Sequence, residues 1–197
     1  ILITGGGTGL GKSIGLHLIG LGAKLIITSR KKEVIEKTAN EFNKEYPDST
    51  LFVAGDVREI NDVENVVNEG FDKFGKIDML INNAAGNFIS PTERLSTNAF
   101  SVIIDIVLKG TCNFTITLGK KWIEHKIDGN ILNIATTYAM TGSGYVVPSA
   151  AAKGGVLTFT KSIAAEWAKY NIRCNAVAPG PFPTKGAWSS LVPPGFS

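Results

Sequence analysis

Lys153 is the residue whose neighbours suggest chemistry. It follows Ser149 by four positions in PSAAAKGG, and a helix through that run sets both side chains on one face. An ammonium group there would stabilise a nearby anion and lower the pKa of an adjacent hydroxyl. Serine has no useful acidity to lend, so a proton donor must come from elsewhere. Tyr138 lies two positions after Thr136 in IATTY. In an extended chain residues i and i+2 face the same side, so a strand persisting this far would turn Tyr138 toward the pocket of Thr136. Asn87, followed by Phe88, comes just after the Ala85-Gly86 turn that closes another apolar run. A phenol and a carboxamide at two strand ends can together donate to one carbonyl oxygen, the arrangement that stabilises an oxyanion. Taken singly, Tyr138 also fits a loop aromatic packed on the core, and Asn87 a turn residue.

The elements that must hold these groups follow from periodicity. Apolar runs end at residue 3 and span 23–28, 51–54, 77–81, 131–135 and 172–178. Amphipathic stretches at 9–21, 33–46, 62–74, 99–126 and 149–170 separate them. Strand and helix in alternation predict a single α/β domain, a doubly wound parallel sheet of Rossmann type with order 3-2-1-4-5-6. The segment 99–126 reads as one long helix that Gly110 and Gly119 weaken locally. The chain opens on Ile1 inside an apolar strand, and after Ala178 the pattern dissolves into PGPFPTKGAWSSLVPPGFS. The expectation is a fragment incomplete at both ends, with any targeting peptide upstream.

Composition narrows the function classes. The chain has 197 residues, 44% of them hydrophobic, and 22 glycines, which suits one globular domain with many tight turns. A net charge of +3 without a dense basic stripe argues against nucleic acid as a partner. No apolar run approaches the length of a bilayer span. Cys112 and Cys174 have neither metal nor disulfide spacing, and two free thiols fit a reducing compartment. His17 and His125 stand isolated in helical patterns and read as surface residues, so no metal site is expected.

Directly after the first strand comes Thr4-Gly5-Gly6-Gly7-Thr8-Gly9-Leu10-Gly11, and a helix opens from it. Such a loop alone can be a tight turn. Between a strand and a helix, Gly5, Gly6, Gly7, Thr8, Gly9 and Leu10 read as a backbone cradle for a pyrophosphate at a helix N-terminus. An NAD-binding chain usually has an acid about 20 residues further on, for the ribose 2′-hydroxyl. Here Ser29-Arg30-Lys31 occupies that place. Guanidinium and hydroxyl would hold a 2′-phosphate, so the expected cofactor is NADP(H). The other reading of these residues is a set of surface charges at a helix start.

The TGxxxGxG spacing, Asp56-Val57 after the third strand, Asn82-Asn83-Ala84-Ala85-Gly86 after the fourth, and the Lys153 helix resemble the short-chain dehydrogenase/reductase family over nearly the whole chain. The resemblance implies that Asp56 and Val57 set the adenine and that Asn83 and Ala84 line the cofactor. It also implies that Pro179, Gly180, Pro181 and Phe182 cover it, and that Lys153 binds the nicotinamide ribose. Thr136 stands where the family has its catalytic serine or threonine. Two positions depart from the family: Ser149 replaces the tyrosine of Tyr-x-x-x-Lys, and Val107 replaces the asparagine of a VNLxG-like pattern.

A narrower resemblance accounts for both departures. AAGNFISPTERLS, TTYAMTGSGYVVPSAAAK and PGPFPTKGAW resemble the mitochondrial 2,4-dienoyl-CoA reductases. That group takes its tyrosine from the loop after strand five and its asparagine from the loop after strand four, matching Tyr138 and Asn87. Ser149 and Lys153 match its serine and lysine, and the peroxisomal relatives lack this tyrosine. The resemblance implies NADPH-dependent reduction of a 2,4-dienoyl-CoA to a trans-3-enoyl-CoA in β-oxidation of unsaturated fatty acids. Tyr138 and Asn87 would hold the thioester oxyanion, Tyr138 would supply the proton, and Ser149 would hold cofactor or lysine in place. It further implies acyl-CoA contacts at Arg58, Phe88 and Ser96, a homotetramer and a mitochondrial location. Unaided, Arg58 reads as a surface charge and Ser96 as a helix cap. The family's arginine for the CoA phosphates has no counterpart in Trp188-Ser189-Ser190. Two other readings stand beside this one: another short-chain carbonyl or enoyl reductase, or a catalytically silent NADP-binding protein, which Ser149, Val107 and Ser190 favour.

Overall fold

The computed structural model describes residues 1–182. Six strands, β1 (Leu2–Thr4), β2 (Leu25–Ser29), β3 (Thr50–Ala54), β4 (Met79–Asn82), β5 (Asn130–Ile134) and β6 (Arg173–Val177), form one sheet. Its order is β3-β2-β1-β4-β5-β6 with every pair parallel, as the alternation predicts. Chain reversal between parallel neighbours requires a crossover, and the helices supply it.

Because side chains alternate across a strand, adjacent residues feed opposite layers. Leu2, Ile26, Leu80 and Ile131 pack with α3 (Ile60–Phe74), α5 (Gly110–His125) and α7 (Val147–Trp167). Ile3, Ile27, Ile81 and Ile134 pack with α1 (Gly9–Gly20) and α2 (Lys32–Glu45). Trp122 on α5 is fully buried and donates its indole N–H to the Ile77 carbonyl at 2.6 Å, so the largest core side chain leaves no polar atom unpaired. All strand C-termini open on the same crevice, the place where such sheets bind ligands.

Two sequence expectations need correction. The long helix is not one regular α-helix: α4 (Thr97–Ile104) passes through a π-helical turn at Asp105–Lys109 into α5. Its glycines, one of them directly after the π-helical turn, are also contact points. A Cβ on Gly110 would stand 2.5 Å from Cγ2 of Val57, and Gly119 lies against the Trp167 ring. The run Thr97–His125 is also, by length and composition, apolar enough to cross a membrane, with mean hydropathy 1.5 in its most apolar part. Part of its apolar surface is used in the fold: Phe114, Leu118 and Trp122 belong to the core beside the sheet, and Ile103 and Val107 meet Ala152 and Val156 of α7, whereas Ile116 is exposed.

Candidate active site

The nucleotide end of the crevice is a backbone loop fastened by side chains. Gly5 adopts φ +65° and donates its N–H to the Thr28 carbonyl at 2.8 Å. The β4 terminus fastens the loop. The Asn83 carboxamide donates to the carbonyls of Thr4 and Gly5 at 3.0 and 3.1 Å, and the N–H groups of Asn83 and Ala84 donate to Thr4 Oγ1 at 3.0 and 2.9 Å. A Cβ on Gly11 would lie 2.5 Å from both Asn83 Nδ2 and the Gly5 oxygen, so only glycine allows this approach. Thr38 of α2 donates to the Gly7 carbonyl at 2.8 Å. Sequence reasoning missed the fastening roles of Thr4 and Thr38. Thr4 signals only as a hydroxyl beside the glycine loop, and Thr38, 31 residues from Gly7, carries no local signal.

Thr8 precedes α1 in extended conformation and makes no side-chain cap. The first N–H groups of α1 therefore keep their dipole directed at the crevice, as an anion site requires. Beside them opens a cavity of about 380 Å³ lined by Gly5, Gly7, Thr8, Arg30, Asp56 and Ala84, among others. At its charged rim Arg58 grips Asp56: Nε lies 3.0 and 3.1 Å from the two carboxylate oxygens and Nη2 lies 2.6 Å from Oδ2. Arg30 stands 4.0 Å from the same oxygen and is mostly exposed. The Arg58 hydrogen bonds hold the Asp56 carboxyl below the usual carboxylate range, against the opposing effect of burial. A glycine cradle, a free helix N-terminus and a cationic rim make a donor set suited to a dinucleotide.

The catalytic end is built from side chains on three separate segments. β5 stops at Ile134, within a residue of the expected end, so the strand does not persist to Tyr138. The chain turns at Thr136, whose carbonyl accepts from Ala139, and Thr137 donates to the Pro179 carbonyl at 3.2 Å. Tyr138 therefore opens a short helix, α6 (Tyr138–Thr141). Its hydroxyl still lies 3.0 Å from Ser149 Oγ and accepts from Asn87 Nδ2 at 3.4 Å. Asn87 Oδ1 accepts the N–H of Phe88 at 2.9 Å, which orients the amide so that its NH₂ faces the tyrosine.

Ser149 sits in the first turn of α7, where Pro148 occupies a position needing no N–H donor. Four residues on, Lys153 is 6% exposed and donates to the Ile134 carbonyl. Burial lowers its pKa from 10.5 to about 8. Val107 is fully buried and packs with Ile103, Ala152 and Val156, so the position expected to carry asparagine is dry and apolar.

The remaining sequence-expected residues divide. Phe88 is partly buried against the Ile103–Val107 cluster. Ser96 caps α4, accepting from the Ala99 N–H at 3.1 Å. Pro179 meets Thr137, whereas Gly180, Pro181 and Phe182 are exposed. Trp188, Ser189 and Ser190 lie outside the described residues. A larger hollow, about 1310 Å³, lies at the opposite ends of the strands among Ile1, Lys24, Asp78, Asn130 and Arg173. It holds none of the expected site residues, and strand C-termini are where this architecture does chemistry.

This glycine loop, the strand order and a buried lysine that bonds the end of β5 define a nucleotide-dependent α/β fold. Residues 1–191 match the family described as short chain dehydrogenase, and the chain belongs to that family. It is similar to a probable (3E)-enoyl-CoA-producing 2,4-dienoyl-CoA reductase of Caenorhabditis elegans, 47% identical over 196 residues, which cover 97% of this chain and 62% of the relative. The chain thus spans about three-fifths of that relative's length. Peroxisomal 2,4-dienoyl-CoA reductases are also among its relatives, at lower identity. A crystal structure of a short chain dehydrogenase from Bacillus anthracis superposes with TM-score 0.88 at 47% identity, covering 91% of this chain and 75% of that one. A gluconate 5-dehydrogenase of Burkholderia cenocepacia in complex with NADP and tartrate superposes at 0.90 with 30% identity, covering 100% and 76%.

Proposed function

We propose that this protein reduces 2,4-dienoyl-CoA thioesters to trans-3-enoyl-CoA with NADPH, within β-oxidation of unsaturated fatty acids. One observation carries the reading: Tyr138 OH stands within 3.0 Å of Ser149 and 3.4 Å of Asn87, above a buried lysine. These are the residues that a dienoyl reductase needs, although Ser149 takes the place of the usual helix tyrosine. The 2,4-dienoyl-CoA reductase relatives support the substrate class. Ser29, Arg30 and Lys31 at the cavity rim support the phosphorylated cofactor, as does the NADP carried by a structural relative.

The glycine loop, Arg30 and Lys153 would hold NADPH, which would supply a hydride for the far end of the diene, so that negative charge would fall on the thioester oxygen. Tyr138 and Asn87 donate hydrogen bonds to that oxygen; losing one such donor costs about 2.7–4 kcal/mol. Tyr138 then passes its proton toward Cα, directly or through water, leaving the double bond between the third and fourth carbons. Lys153 places its charge where it favours the anionic state and positions the ribose. Ser149 holds the phenol oxygen. Because hydride acceptor and oxyanion lie several bonds apart, the donors sit on the segments after β4 and β5 and not on the lysine helix. Arg58, Phe88 and Ser96 line the acyl-CoA path, and the protein works as a mitochondrial homotetramer. The resemblance of Tyr138 to the loop tyrosine of the mitochondrial type supports that location.

The test is NADPH oxidation by the full-length protein with 2,4-hexadienoyl-CoA, with the product analysed for the position of its double bond. A 3-enoyl-CoA product is expected. Tight NADPH binding without oxidation would replace this reading with that of a silent binder, which the apolar Val107 site favours.

A further inference from the structure

Asp56 lies at the cavity rim, a few ångströms from the residues read as holding a 2′-phosphate. A carboxylate beside a phosphate site is unfavourable twice over: it repels the dianion, and it competes for the guanidinium meant to bind it. Its position is rigid. The Asp56 N–H donates to Asp62 Oδ2 at 2.9 Å, and the Arg58 N–H donates to Asp56 Oδ1 at 3.0 Å. Asn113 of α5 donates to the Val57 carbonyl at 2.9 Å, and Gly110 packs directly on Val57. The carboxylate therefore cannot swing away from Arg30.

Arg58 satisfies it instead. Its Nε and Nη2 engage both oxygens, whereas Arg30 remains 4.0 Å from Oδ2 with its side chain 60% exposed. We propose that Arg58 sets cofactor specificity: by holding Asp56 it leaves Arg30 free to bind the 2′-phosphate. The inference rests on the NADPH reading above and gives Arg58 a task separate from any contact with acyl-CoA. Without Arg58, Arg30 closes on Asp56 as a fork, and NADPH loses affinity. NADH, which carries no 2′-phosphate, loses little.

Dissociation constants of NADPH and NADH, measured by fluorescence titration of the full-length protein without acyl-CoA, test this. Arg58→Met is expected to narrow the preference for NADPH over NADH by about five- to tenfold, the scale of coupling between neighbouring sites. Adding Asp56→Asn in that background is expected to restore the preference to within about twofold of wild type, because the competing carboxylate is gone. A merely structural role would weaken both cofactors equally. An unchanged ratio in Arg58→Met, or no recovery in the double variant, overturns the proposal. Should Arg58→Met fail to fold, Arg58→Lys, a point charge without the fork, is expected to narrow the ratio by about threefold; no narrowing overturns it. A wild type that binds both cofactors equally would defeat the NADPH reading itself, and this inference with it.

Discussion

At the nucleotide end of the crevice, four hydrogen bonds from Asn83 and Ala84 tie β4 to the glycine loop, and every acceptor is an atom of Thr4 or Gly5. At the catalytic end, the two contacts around the tyrosine join side chains from three segments, and the longer of them spans 51 residues of sequence. The first region is a backbone loop fastened where it leaves the sheet by two side chains, Thr4 and Asn83, across 78 to 80 residues of sequence. The second depends on which side chains the loops deliver. A substitution near the glycine loop should therefore disturb fold and cofactor together, whereas one around Tyr138 should remove chemistry and leave the nucleotide end intact.

Tyr138→Phe gives the sharpest separation. Turnover of 2,4-hexadienoyl-CoA should fall about 100- to 1000-fold, the cost of an oxyanion donor, with the NADPH dissociation constant unchanged. A comparable loss of NADPH affinity would erase the distinction between the two ends.

Lys153 lies between them, and its effect appears in pH. Its folded pKa of about 8 lies below 10.5, so the unfolded chain binds the proton more tightly. The stability linked to this group is fully present above about 10.5 and is lost as pH falls through about 8, a difference of about 3 kcal/mol. Denaturant midpoints of the cofactor-free protein should rise between these pH values in the wild type and stay flatter in Lys153→Met. Parallel profiles would mean that the lysine is not desolvated.

Asn83→Ala leaves the carbonyls of Thr4 and Gly5 short of a donor, and should cost about 1–3 kcal/mol in urea unfolding while also weakening NADPH. Loss of either property alone would contradict a loop whose shape is its function. Ser149→Ala should have the smallest effect, about tenfold in kcat from one positioning hydrogen bond, with NADPH affinity and stability nearly unchanged. A loss as large as that of Tyr138→Phe would make Ser149 a direct participant.

The strands and their order are legible because a parallel sheet buried on both faces needs continuous apolar runs, and crossover helices need amphipathic ones. The sequence-derived elements accordingly fall within a few residues of the observed ones, from β1 through β6. The long helix was legible in extent and not in form: periodicity carries no sign of the π-helical turn at Asp105–Lys109, where Val107 packs with Ala152 and Val156 of α7. Arg58 reads as a surface charge in the sequence because nothing there reveals that the turn after β3 folds it back onto Asp56.

What the sequence determined by itself is the succession at the nucleotide end, a strand, a glycine loop and a helix, although the bonds that fasten the loop come from Asn83 and Ala84, 78 to 80 residues away. It also placed Ser149 and Lys153 one helical turn apart. Only the tertiary structure decided that Tyr138, at the start of a short helix and not on an extended strand, reaches Ser149 and Asn87. The direction of a loop side chain depends on contacts with distant segments, here the bond from Thr137 to Pro179 beyond β6, and spacing along the chain carries no record of them.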